Sequence, residues 1–211
     1  MTFRPGHDAE RIRASVQKRG IQAIYHYTAV TNLPSILQMG ALLSRAEMDA
    51  RNINYVGHGW GRPGKEVELE DYVCCSFVPH WGMLRRETEP QAVFELAPKL
   101  IWREGTLFCP GNSASNEFDL EFLRDKNTVE TFDEMFDNPF TGFPTPYQCE
   151  VLVNKRIGLA YLTAVHFQSA EHRDYGVTLI EDTVRDASLR QRLQPILPIR
   201  VGVTPRLYPR A

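Results

Sequence analysis

Three residues stand where their side chains could act on a polar substrate: Glu150, His26 and Arg62. Glu150 lies in Cys149 to Val153, a β-branched apolar run that reads as a strand. Directly before it comes Asn138 to Tyr147, with three prolines and a glycine, which excludes regular structure. A carboxylate that leaves a rigid sheet beside such a loop can position a polar substrate. A strand-end glutamate facing water has the same local pattern, so position alone leaves both readings open. His26, in Tyr25-His26-Tyr27-Thr28, is either a ligand-holding imidazole or a hydrogen-bonded core residue. Arg62 follows Tyr55, His58 and Trp60 in a stretch, residues 51–65, that holds four glycines and a proline. A guanidinium there either clamps a phosphate or carboxylate bidentately or is a solvated loop arginine.

Other chemistries lack their signatures. Gly57, Gly59 and Gly61 form neither a Walker loop nor a GxGxxG turn between strand and helix. His58, His80, His166 and His172 lack paired ligand spacing, so no metal is expected. The serines of GNSASN form no GxSxG elbow, which argues against a serine hydrolase. Cys74, Cys75, Cys109 and Cys149 include an adjacent pair and no CxxC, and are expected to be free thiols of a reducing cytoplasm.

The elements that must position these residues follow from periodicity and breakers. Asp8 to Lys18 is an amphipathic helix stopped at Gly20, and Ile21 to Tyr27 a buried strand. Thr31 is expected to cap a helix carrying Leu33, Ile36 and Leu37, with Pro34 in its first turn and Gly40 at its end. Strands are predicted at Asp71 to Val78, Ala92 to Leu96, Thr106 to Cys109, Cys149 to Val153 and Ala164 to Gln168, with an edge strand at Ile199 to Val203. Phe118 to Phe136 reads as helix in two pieces and Thr183 to Leu193 as a last helix, while Pro110 to Asn116 is a loop. Residues 1–211 are expected to form a single α+β domain with a mostly antiparallel, split sheet.

Of 211 residues 43% are hydrophobic and 24% charged, an ordinary globular balance. A net charge of −2 excludes a broadly basic nucleic-acid coat but leaves room for an enzyme with a local basic groove. No apolar run suits a signal peptide or approaches the roughly 18 residues of a membrane span, so the chain is expected to act in the cytoplasm, off the membrane and as a monomer.

Taken in order, five segments resemble the bacterial DarT-type DNA ADP-ribosyltransferase toxins. IYHYTAVTNLPSILQMGALL is similar to that family's first strand and helix, NINYVGHGWGR to its NAD-binding loop, and DYVCCSFVPHWGML to the following strand. CPGNSASN resembles its glycine-asparagine loop and YQCEVLV its catalytic-glutamate strand. The likeness spans about residues 21 to 155, with Ser35 standing where a glycine is common.

The resemblance implies an ADP-ribosyltransferase fold and NAD⁺ as co-substrate, without a metal. It places His26, Tyr27 and Thr28 along the nicotinamide-ribose side, Ser35 and Leu43 along the adenosine side, and Glu150 at the catalytic position. Arg62 would hold the diphosphate or polarise the acceptor base, and Asn112 would touch that base. The implied acceptor is a base in single-stranded DNA, which Arg85 and Arg86 would help to bind and on which Trp60, Trp81, Phe140 and Phe143 could stack. The implied partner is an antitoxin that hydrolyses ADP-ribosyl groups. Competing readings are transfer to RNA or a protein side chain, and a catalytically inactive binding module.

Overall fold

The computed structural model describes residues 7–57, 69–79, 89–115, 117–194 and 200–203. Arg62, Arg85, Arg86, Trp60, Trp81, His58 and His80 lie outside them.

The chain opens with α1 (His7–Lys18), whose Ile12 and Val16 are buried. Next comes β1 (Ile24–Ala29), and then a 3-10 turn, Val30–Asn32, leads into α2 (Leu33–Met39). Pro34 sits in the first turn of α2 as predicted. Gly40 ends it at φ 66°, a left-handed cap that frees its N–H for the carbonyls of Ile36 and Leu37. Thr31 does not cap α2. Its hydroxyl is buried and has no hydrogen-bond partner among the described residues, because the 3-10 turn moves the cap position to Asn32.

Two short elements without a sequence signal follow, β2 (Ala41–Leu43) and α3 (Arg45–Ala50), the latter capped by the Ser44 hydroxyl on the N–H of Glu47. The predicted strands appear as β3 (Tyr72–Ser76), β4 (Gln91–Leu96) and β5 (Leu107–Cys109). The acidic stretch forms two short helices, α4 (Leu120–Leu123) and α5 (Val129–Glu134), capped by Asp119 and Thr128. Then come β6 (Glu150–Asn154), β7 (Arg156–Gly158) and β8 (Leu162–Phe167). A helix that the sequence reading did not include, α6 (Ala170–Thr183), comes next, and the predicted Thr183 to Leu193 helix is α7 (Ala187–Leu193), each with its own cap, Ser169 and Asp186. The edge strand is β9 (Arg200–Val203).

Among the described residues seven strands join in the order β5-β6-β3-β1-β4-β8-β9, and β2 pairs with β7 separately. Every pairing is antiparallel except β8 with β9. The expected split is visible in the register. β1 follows β4 over six residue pairs and β3 follows β6 over five, yet β1 meets β3 only at Tyr25↔Ser76. Two well-knit halves therefore meet at one pair, and the sheet parts beside it.

Ile24, Phe94, Leu96, Val151, Val153 and Phe167 form the core with Ile12 and Val16 of α1. Phe77, Phe108, Phe132 and Phe136 interlock within it, with ring centroids 5.2 to 6.1 Å apart. Aromatic pairs at such spacing add to the gain from burial. Arg19 ties this core to the segment before β6. Its guanidinium pairs with Asp133 at 2.8 Å, stacks on Phe136 and donates to the Asn138 carbonyl. All four cysteines are free thiols.

Candidate active site

A cavity of about 320 Å³ opens at the parting of the sheet, large enough for a small-molecule ligand. Seven of the residues singled out from the sequence line it together: His26, Tyr27, Thr28, Ser35, Leu43, Asn112 and Glu150. They come from β1, α2, β2, the loop after β5, and the start of β6.

Register places Glu150. It is the first residue of β6, opposite Ser76 on one side and Cys109 on the other. Its Oε2 accepts the Ser113 N–H at 2.8 Å. Burial raises its pKa above the usual carboxylate range, opposed by hydrogen bonds from the Ser113 hydroxyl and N–H. Around it the thiols stay neutral. Burial, with the Glu150 charge second, pushes Cys74 and Cys149 each up to about 12. Glu150 thus brings a buried carboxylate to the cavity wall, beside the neutral Cys74 thiol.

His26 takes over a backbone role. Its Nδ1 lies 2.9 Å from the carbonyl oxygen of Cys74 on β3, and a carbonyl only accepts, so Nδ1 carries the proton. The imidazole thereby bridges the two halves where the β-ladder has only one pair. Tyr27 reaches the same seam, its hydroxyl donating to the Val78 carbonyl at 3.0 Å. His26 is thus a hydrogen-bonded residue of the sheet that also lines the cavity.

The loop after β5 is held by local hydrogen bonds. The Asn112 side-chain oxygen accepts the Ala114 N–H at 2.9 Å, an Asx-type turn that directs the neighbouring Ser113 N–H to Glu150. Asn112 lines the cavity, with that oxygen already engaged.

At the other end the lining turns apolar, with Ile36, Leu42, Leu43, Met48, Ile53 and Leu69. Arg45, Glu70, Tyr55 and Tyr72 add polar groups. Sequence reasoning gave no site role to Asn32, Arg45, Glu70, Tyr72 or Ser113. For Ser113 a signal existed, since Asn before a small polar residue in a glycine-bearing loop favours a turn with a free N–H. Residues 138–147 do not line the cavity. Asn138 and Gly142 approach Arg19 and Ile21, Phe140 lies under Lys18, and Phe140 and Phe143 are 75% and 56% exposed. Arg62, Arg85 and Arg86 fall outside the described residues.

Among the described residues no group of three or more His, Cys, Asp or Glu side chains is gathered for a metal, and no helix is long and apolar enough to cross a membrane.

Comparison with solved structures finds the same fold. DarT from Thermus sp. 2.9, solved with ADP-ribosylated single-stranded DNA, superposes with a TM-score of 0.56 at 16% identity, covering 90% of this chain and 97% of that one. The same protein solved with NAD⁺ gives 0.52 at 18% identity, covering 90% and 98%. Thermosipho africanus DarTG, solved with ADP-ribose, gives 0.53 at 18% identity, covering 87% of this chain and 50% of that one. Comparison of the sequence with curated proteins finds no match. Fold and family together make the chain an ADP-ribosyltransferase. It belongs to the DarT family, described as single-stranded-DNA thymidine ADP-ribosyltransferases, whose sequence profile matches residues 25–195.

Proposed function

We propose that this protein transfers ADP-ribose from NAD⁺ to a thymine base in single-stranded DNA, with release of nicotinamide. One observation carries the reading. Residues as far apart as His26 and Glu150, each assigned a role by the resemblance, meet in one cavity at the parting of the sheet.

The lining suits a dinucleotide. The apolar end around Leu43 and Met48 accepts an adenine ring, with Ser35 beside it, and the polar end offers Glu150, Ser113 and His26. NAD⁺ supplies an ADP-ribosyl group already bonded to a cationic leaving group, so no metal is needed to activate it. Glu150 accepts a hydrogen bond from the nicotinamide-ribose 2′-hydroxyl and offsets the positive charge that grows at C1′ as the glycosidic bond breaks. A single group of this kind in a water-poor site commonly contributes about 3–4 kcal/mol. The bonding electrons leave with nicotinamide, and a nitrogen of the base supplies the new pair and gives up its proton to solvent. Ser113 fixes the carboxylate before the reaction, so little reorganisation is required. His26, Tyr27 and Thr28 wall the nicotinamide-ribose side. Arg62 clamps the diphosphate or polarises the base, Asn112 touches the base, and Arg85 and Arg86 hold DNA phosphates.

A stacked base in a duplex cannot enter such a cavity, so the acceptor is single-stranded or flipped. The same reading makes the protein a cytoplasmic monomer of one domain, toxic to its host unless an ADP-ribosyl hydrolase antitoxin reverses the mark. Incubation with NAD⁺ and a panel of single-stranded oligonucleotides, followed by mass spectrometry, tests it. One ADP-ribose should appear on thymidine-containing strands and little on duplex. Labelling of protein or RNA alone would move the activity to another acceptor, and no nicotinamide release would make the chain a binding module.

A further inference from the structure

The walls of the cavity come from separate parts of the chain, and one side chain ties three of them together. Asn32 follows β1 and stands at the start of α2. Its Nδ2 donates to the Val56 carbonyl at 2.9 Å and to the Thr28 hydroxyl oxygen at 3.1 Å, while its Oδ1 accepts the Val56 N–H at 2.8 Å. The amide orientation is fixed by the partner, since a peptide N–H only donates and its carbonyl only accepts. The carboxamide thus pairs with both backbone groups of Val56 as a neighbouring strand would.

Val56 belongs to the segment 53–57, of which Ile53, Tyr55, Val56 and Gly57 line the cavity. The segment leaves α3 through Asn52, at φ 53°, with the Ile53 N–H on the Met48 carbonyl. A few residues beyond this anchor, Asn32 supplies a second one. Thr28 lies on β1, and Ser35 follows Asn32 by one helical turn on α2, so all three walls are referred to one amide. A shorter side chain cannot span both Val56 groups, and an isosteric aspartate would set an oxygen against the Val56 carbonyl.

We propose that Asn32 is a positioning residue for NAD⁺: its carboxamide latches segment 53–57 over the cavity and registers it against Thr28. The inference rests on reading this cavity as the NAD⁺ site. Because the latch acts on the wall and not on the reacting carbon, its loss should weaken NAD⁺ binding and leave the chemical step nearly intact.

The test compares the wild type with Asn32→Ala by calorimetry, by steady-state kinetics with NAD⁺ and a single-stranded oligonucleotide, and by hydrogen–deuterium exchange over residues 53–57. A neutral hydrogen-bond pair of this kind corresponds to roughly a tenfold change in affinity. N32A should therefore raise Kd and KM for NAD⁺ about tenfold, with kcat within about threefold and KM for DNA unchanged. Segment 53–57 should exchange quickly in N32A, whereas NAD⁺ should slow it in the wild type. If N32A does not fold, Asn32→Asp, equal in size and still able to accept the Val56 N–H, should show the same direction. N32A binding NAD⁺ within twofold of wild type, with unchanged exchange, overturns the latch. A wild type that binds no NAD⁺ overturns the cavity's assignment itself, and the latch with it.

Discussion

The Ser113 N–H lies 2.8 Å from Oε2 of Glu150, joining the loop after β5 to the first residue of β6 across 37 positions of sequence. The contact holds the carboxylate still, but burial still raises its pKa. Fixed geometry and a costly charge in one group make Glu150 a candidate functional residue.

That cost gives a prediction with a definite sign. A carboxyl whose folded pKa lies above its unfolded value binds more protons in the folded state, so stability falls as pH rises between the two values. The contribution of Glu150 is most favourable below the ordinary glutamate range and is lost once pH has risen through its raised folded value. Glu150→Gln should therefore lose transfer by about 10²-fold or more while melting higher than wild type at neutral pH. Thermal midpoints across a pH series check this. A variant that melts lower at neutral pH would show that the buried charge is not costly, and one that keeps more than about a tenth of the rate would remove the carboxylate from the transfer step.

His26 should matter for the fold as well as for the ligand. β1 and β3 share one residue pair, and the His26–Cys74 hydrogen bond at 2.9 Å is their side-chain substitute for a second rung. Replacement by phenylalanine keeps the ring and removes the donor. It should cost about 1 kcal/mol, or a fall in Tm of roughly 2–4 °C for a chain of this size, and raise KM for NAD⁺ by more than this loss alone implies. An unchanged Tm would show that the seam does not depend on the imidazole.

A control lies outside the cavity lining, where α6 packs on β8 and on the Leu33 side of α2. Gly176 of α6 is buried, and a Cβ there would stand 2.4 Å from the ring of Phe167, which is fully buried and has no room to yield. Gly176→Ala gains about 1 kcal/mol of helix propensity, against an overpacking cost of typically about 1–3 kcal/mol. The net outcome should be a lower Tm, with KM for NAD⁺ unchanged once the protein is folded. A higher Tm would mean that β8 and α6 separate easily.

Legibility from sequence followed the range of the interaction. β1, β3, β4 and β6 announced themselves because buried strands read as β-branched runs, and Gly40 ended α2 where expected. β2 and β7 did not, because three residues apiece, Ala41–Leu43 and Arg156–Gly158, pair across more than a hundred positions without any local pattern. α6 was missed because Gly176 is its one buried residue, and a helix that docks through a glycine has little apolar periodicity to read. At the site, side chains that could act on a ligand were found. Asn32 and Ser113, which act by holding backbone or offering it, were not, because their value depends on partners 24 and 37 residues away.

The acceptor side yields the last prediction. The chain carries a net charge of −2, so affinity for a polyanion must come from a few local cations. Arg85 and Arg86 are adjacent, in a segment that joins β3 to β4, two strands flanking β1 in the sheet. Each phosphate contact contributes about 0.7 to the slope of log affinity against log salt for a single strand. Reversing both arginines to glutamate should weaken binding of a single-stranded oligonucleotide at least about tenfold and flatten that slope by about 1.4. NAD⁺ hydrolysis without DNA should change little, because neither residue belongs to the set assigned to NAD⁺. Binding titrations at several salt concentrations, beside nicotinamide release, separate the two. An unchanged slope would move the DNA path away from this segment, and equal loss of hydrolysis would place these arginines in the co-substrate site instead.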